Sequence, residues 1–232
     1  MIISEQVAFV TGANRGFGRH LTLELLSRGA KVYAGARIPE TIDIPGVIPV
    51  KLDITNTQEV EAAAILAKDV TLLINNAGSS TGASLLEGDV DKIQLEFDTH
   101  FFGTLYMVRA FAPIIEKNGG GSVLNILSAL SWFSSGTAGA YTAAKAAAWA
   151  LTNDLRINLY PHNVRVAGLH VGFMETDMTS SLEVPKVSPA DIAKIAIDGI
   201  ESGSLEIIAD DNSRMIQGGL AGGVPALYPH LS

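Results

Sequence analysis

The segment VAFVTGANRGFG, residues 7–18, joins a short apolar, partly β-branched run to a turn holding Gly12, Gly16 and Gly18, and a helical pattern, RHLTLELLSRG (19–29), follows at once. Strand, glycine turn and helix in that order have a physical reading. Glycines allow a tight turn and close backbone approach, and the start of the helix offers unpaired N–H groups at the positive end of its dipole. In a doubly wound α/β sheet this is where the pyrophosphate of a dinucleotide rests. The spacing is G-x-x-x-G-x-G, and glycines that serve only the turn are the alternative at this point.

Six further apolar runs resemble strands: KVYAGA (31–36), VIPVKLD (47–53), VTLLINNA (70–77), GSVLNILS (121–128), NVRVAGLHV (163–171) and SLEIIAD (204–210). Between them lie stretches with helical spacing, at 57–67, 101–115, 141–159 and 188–200. Strands apolar throughout, alternating with helices, indicate a mostly parallel sheet covered on both faces. We therefore expect one Rossmann-type domain over 1–232, with a seven-stranded, doubly wound sheet. The glycine-rich tail QGGLAGGVPALYPHLS (217–232) reads as a packed C-terminal segment.

Composition narrows the function. The chain is 47% hydrophobic and 17% charged, ample for a buried core. Its net charge of −8 disfavours nucleic acid and anionic membranes as partners. With no cysteine, thiol catalysis and zinc–thiolate sites are excluded. No metal is expected, since His20, His162, His170 and His230 form no ligand-like spacing with His100. The N-terminus lacks a signal-peptide pattern and no apolar run is long enough to span a bilayer, so a cytoplasmic location is expected.

Two arginines bear on the nucleotide. An NAD site usually ends its second strand in an acid that holds the ribose 2′-hydroxyl, whereas an arginine accommodates a 2′-phosphate. Here that strand ends Ala36-Arg37, and Arg15 in the glycine turn can reach the same phosphate. The expected cofactor is NADP(H). Two solvated surface charges are the competing reading.

In AYTAAKAAAWA, Tyr141 and Lys145 are spaced i, i+4 on one helix face. A phenol titrates near pH 10 and needs tuning to exchange protons at neutrality; a neighbouring ammonium lowers its pKa. Ser128, ending the preceding strand, can hydrogen-bond a reacting oxygen. Tyr-x-x-x-Lys alone is common on helices and equally describes a surface pair.

The combination resembles the short-chain dehydrogenase/reductase family over nearly the whole chain. The family's T-G-x-x-x-G-x-G stands as Thr11 to Gly18, its N-N-A-G as Asn75, Asn76, Ala77 and Gly78, and its Ser and Y-x-x-x-K as Ser128, Tyr141 and Lys145. The resemblance implies that Gly12, Asn14, Arg15, Gly16, Phe17, Gly18, Arg37, Asp53, Ile54, Asn75, Ala77, Gly78, Tyr141, Lys145, Gly172 and Thr176 contact the cofactor, with Asp53 on the adenine. It implies that Tyr141 exchanges the proton, Ser128 polarises the carbonyl, and Lys145 binds the ribose and lowers the phenol's pKa. It also implies pairing into homodimers or homotetramers, which the small residues of helix 141–159 would allow.

Two positions depart from the pattern. His100 stands where the family carries an asparagine whose backbone holds a relay water; it preserves that water, joins the relay through its imidazole, or fills space. Val171 replaces a proline ahead of Gly172. Trp132, Phe133, Phe173 and Met174 are candidate walls of a pocket for a hydrophobic carbonyl or alcohol, or ordinary core. The rival functions are a non-catalytic NADP-binding sensor or scaffold, an epimerase or dehydratase, and an NAD-linked alcohol dehydrogenase.

Overall fold

Apolar residues on both sides of each strand force the sheet to be covered twice, and it is. The computed structural model describes residues 1–231. All seven expected strands form: β1 (Val7–Thr11), β2 (Lys31–Ala36), β3 (Ile48–Lys51), β4 (Leu72–Asn75), β5 (Gly121–Ile126), β6 (Val164–His170) and β7 (Glu206–Ile208). They lie in the order β3-β2-β1-β4-β5-β6-β7. Every pairing is parallel, with Val7 opposite Lys31, Ala8 opposite Leu72 and Val123 opposite Val166.

The helices are α1 (Gly16–Ser27), α2 (Thr57–Leu66), α3 (Val90–Phe97), α4 (Thr104–Lys117), α5 (Gly139–Leu159), α6 (Pro189–Ser202), α7 (Asp211–Gly219) and α8 (Gly223–Leu227). The two-residue period of the strands sorts the core into two layers. Val10, Ile74 and Leu124 pack with Leu21 and Leu25 of α1 and Ile197 of α6. Phe9, Leu73 and Val123 pack with Val60 of α2, Met107 and Phe111 of α4, and Leu151 of α5. Arg28 ties α1 to α6 by gripping Glu24, Asp198 and Glu201 at 2.6, 2.7 and 2.6 Å.

Three features differ from the sequence reading. α1 begins inside the glycine turn, because its first turn is made of the glycines themselves. α3 is only eight residues long, VDKIQLEF, its one fully buried residue is the charged Glu96, and it runs through a π turn at Asp98–Gly103 into α4. The tail docks through Tyr228, which stacks on Phe133 at 5.1 Å and accepts a hydrogen bond from the Ser134 amide at 2.9 Å, while Leu220, Val224 and Leu231 stay exposed.

Phe111 is wholly buried, its ring 4.9 Å from that of Phe9. Phe111→Ala should cost about 3–5 kcal/mol. Urea unfolding checks this as a fall in midpoint at unchanged slope.

Candidate active site

β1 and β4 are neighbours whose following helices leave on opposite faces of the sheet, which opens a crevice at their carboxyl ends. Side chains fasten the two ends together. The Thr11 hydroxyl donates to the Ile74 carbonyl at 3.3 Å and accepts from the amides of Asn76 and Ala77, both at 2.9 Å. The Asn76 side-chain Nδ2 donates to the carbonyls of Thr11 and Gly12 at 2.9 and 3.3 Å.

The glycine turn is shaped accordingly. Gly12 and Gly16 have φ of +65° and +52°, and a Cβ at Gly18 would stand 2.1 Å from the Gly12 carbonyl oxygen. Arg15, at the N-cap of α1, makes no side-chain cap, so the first amides of the helix have no capping side chain. Asn14 donates to the Thr41 hydroxyl at 3.0 Å, and Phe17 is buried. Arg15 is exposed, with only a loose 3.7 Å pairing to Asp177. Arg37 is exposed and has no partner among the described residues. A turn with no room for a Cβ at Gly18, an uncapped helix start and two exposed guanidinium groups fit a phosphorylated dinucleotide.

Around this turn, Asp53 accepts from the Thr55 amide and hydroxyl at 2.9 and 2.7 Å, and Ile54 packs against Gly103 in the π turn. Asn75 is turned inward: it donates to Asn125 at 2.8 Å, which donates to Thr152 of α5 at 2.9 Å. That buried chain pins α5 to the sheet. The Gly172 amide is held by Asp210 at 2.6 Å, and Thr176 lies across from Gly16.

The three residues expected to do chemistry converge at the same end of the sheet. Ser128 caps the short 3-10 turn after β5, accepting from the Leu130 amide at 3.1 Å. Lys145 is buried, donates to the Ile126 carbonyl at 2.7 Å, and stands 5.6 Å from the centre of the Tyr141 ring. Burial pushes the Tyr141 phenol up to about 12, against a hydrogen bond with Ser128, and the Glu96 charge adds to the rise. Lys145 is not among the groups that lower the phenol here, since its ammonium lies beside the ring and bonds a backbone carbonyl. Burial lowers Lys145 itself to about 8, with Glu96 opposing.

His100 is buried in the π turn and meets Tyr141 edge-on, ring centres 5.2 Å apart. Burial, then the Lys145 charge, holds its pKa below the ordinary value. Of the proposed pocket walls, Phe133, Phe173 and Met174 are half-buried. Trp132 stacks on His170 at 3.6 Å and meets Trp149 edge-on. Among the buried groups whose roles escaped the sequence reading, two lie close to the chemistry. His170 contacts the Ser128 carbonyl through Nδ1 at 3.1 Å, and Glu96 bonds the segment after Gly78; neither lies in a motif.

Residues 6–186 match the short chain dehydrogenase family. The chain belongs to that family. It is thus an oxidoreductase on a fold that binds a nicotinamide cofactor. A short chain dehydrogenase from Burkholderia cenocepacia, solved in complex with NADP, is 40% identical, with a TM-score of 0.95 over 100% of this chain and 99% of that one. An uncharacterized oxidoreductase of Staphylococcus aureus is 28% identical, covering 84% of this chain and 91% of its own length. The NADPH-dependent 1-acyldihydroxyacetone phosphate reductase of Schizosaccharomyces pombe is 31% identical over 76% of this chain and 62% of its own. A Burkholderia phymatum relative in complex with NAD, 24% identical with a TM-score of 0.84 over 95% of this chain and 96% of that one, shares the fold. Among the described residues no helix is long and apolar enough to cross a membrane, and no cluster of potential ligands could hold a metal ion.

The buried lysine carries a stability signature. Its pKa is about 8 in the folded chain and 10.5 ordinarily, so the unfolded chain binds more protons between those values and stability contributed here rises with pH across that window. Lys145→Met should therefore be more stable than the wild type at pH 7. The gain should shrink as pH climbs from about 8 toward 10.5, which denaturant melts at several pH values will check.

Proposed function

We propose that this oxidoreductase prefers NADP(H) and interconverts a hydrophobic carbonyl compound and its secondary alcohol. The observation that carries the reading is the convergence of Ser128, Tyr141 and Lys145 at the end of the sheet that holds a glycine turn with two exposed arginines, Arg15 and Arg37. The turn residues Gly12 to Gly18 would hold the pyrophosphate, Arg15 and Arg37 the 2′-phosphate, and Asp53 and Ile54 the adenine. Asn75, Ala77 and Gly78 would line the ribose side, with Gly172 and Thr176 at the carboxamide. When bound, the cofactor supplies or takes the hydride.

The chain's own groups handle the oxygen and its proton. A phenol with a pKa near 12 is protonated at neutral pH, so Tyr141 is set to donate to the oxygen of a carbonyl as it becomes an alkoxide. Ser128, close enough to bond that phenol, orients and polarises the carbonyl. Lys145 would bind the ribose hydroxyls and tune the phenol, and with a pKa near 8 it can return a proton to Tyr141 near neutrality. His100 supports the relay from the π turn, a helix irregularity common at functional sites.

NADP preference draws support from the 40%-identical relative solved with NADP and from the NADPH-dependent yeast relative. Phe133, Phe173 and Met174, all half-buried, would favour an apolar substrate, with Trp132 held by stacking on His170. The reading includes a homodimer or homotetramer paired through α5, which leaves Ala143, Ala146 and Ala147 half-exposed and Ile157 exposed.

Tyr141→Phe should lower kcat by roughly 1,000-fold or more, at the upper part of the range for an acid–base group, with NADPH affinity within about twofold of wild type. Turnover of an aryl-ketone panel with isothermal titration of NADPH tests both. In wild type, kcat/KM for NADPH should exceed that for NADH by about two orders of magnitude, and Arg37→Ala should remove about one, as expected for one charge-assisted contact to phosphate. Equal use of the two cofactors would refute the preference.

A further inference from the structure

Glu96 is a wholly buried carboxylate at the last turn of α3, where no sequence motif marks it. Its oxygens are committed to groups outside that helix turn. One accepts from the Thr81 amide, and the other accepts from the Ser79 hydroxyl at 2.8 Å and faces His100 Nε2 at 3.3 Å. Burial alone would raise its pKa, but the bonds from His100, Thr81 and Ser79 outweigh it and lower it to about 2. A negative charge therefore stands at neutral pH beside His100 and close enough to raise both Tyr141 and Lys145.

The same contacts fix the imidazole. Nε2 lies between two acceptors, Glu96 and the Ser79 carbonyl at 2.9 Å, so Nε2 carries the ring proton. The Ser79 amide at 3.4 Å from Nε2 is a long contact that these two outweigh. Nδ1 is then left as an acceptor, and the Cε1–Nδ1 edge lies over Gly78, where a Cβ would stand 2.9 Å from Cε1 and 3.6 Å from Nδ1. The charged and titratable groups around the ring are Glu96 from α3 and Tyr141 and Lys145 from α5.

We propose that Glu96 is a positioning residue for the reaction: its carboxylate locks His100 in the Nε2–H tautomer edge-on to Tyr141, anchors the Ser79–Thr81 backbone that follows Gly78, and sets the field in which Tyr141 and Lys145 exchange protons. The inference rests on the reading of Tyr141 as the acid–base group. It goes further by assigning a role to a residue outside every motif and a fixed tautomer to His100.

The test compares full-length wild type with Glu96→Gln, which keeps the shape and removes the charge. With NADPH and the activated ketone trifluoroacetophenone, kcat should fall on the order of 10-fold, the scale of losing an outer partner that orients a histidine, while the Kd for NADPH stays within about twofold. The ionisation limbs of the kcat profile should move to lower pH, because the charge that raises Tyr141 and Lys145 is gone. Limbs that superimpose on wild type would reduce Glu96 to a structural brace and overturn the proposal.

Nitrogen-15 histidine spectra of the unliganded protein give a second readout that needs no turnover and still decides if the variant fails to fold. A wild-type His100 proton on Nε2 supports the proposal, and one on Nδ1 overturns it. Failure of the Tyr141 reading would show separately, as activity retained by Tyr141→Phe.

Discussion

The hydroxyl of Thr11 and the amide of Asn76 hold together the two strand ends between which everything functional is arranged. A parallel sheet wound in both directions must separate its connections where the order reverses, and backbone hydrogen bonding ends there. Polar groups at such an edge need partners or water. This chain supplies them from side chains, so the glycine turn keeps its shape and its close approach to β4. The crevice is thus a rigid feature of the sheet, and α5 is registered against it by the Asn75–Asn125–Thr152 chain.

Polar burial near Tyr141 works against the ordinary preference of a core. Lys145, His100, Glu96 and Ser128 are all buried within one region, and each is satisfied by named partners. Satisfied networks of this kind are specific but add little net stability, and removing one member leaves the others exposed to the low dielectric. Stability has to come from elsewhere. The two apolar layers and the clamp of Arg28 across α1 and α6 supply it at a distance from the chemistry.

What could be read in the sequence follows from how far each signal is local. Strands apolar on both faces announce themselves, and β1 to β7 all lie within the runs picked out for them. The glycine turn, Ser128, Tyr141 and Lys145 were legible because spacing along the chain carries their geometry. α3 was not, since it is only eight residues long and its one fully buried residue is a glutamate. Glu96 and His170 escaped for a related reason: their meaning lies in partners distant in sequence, Thr81 and Ser79 for one and the Ser128 carbonyl for the other. His100 was singled out as a substitution, yet only the fold shows that a carboxylate one turn earlier faces the same ring nitrogen.

Trp132 and Trp149 are the only tryptophans of the chain, and they meet edge-on, Trp132 lying flat on His170, whose Nδ1 contacts the Ser128 carbonyl. All indole emission from this protein therefore originates at one place. A change in the packing or protonation of that loop alters the surroundings of both rings together, so the molecule carries its own optical reporter within the structure that supports its candidate catalytic serine.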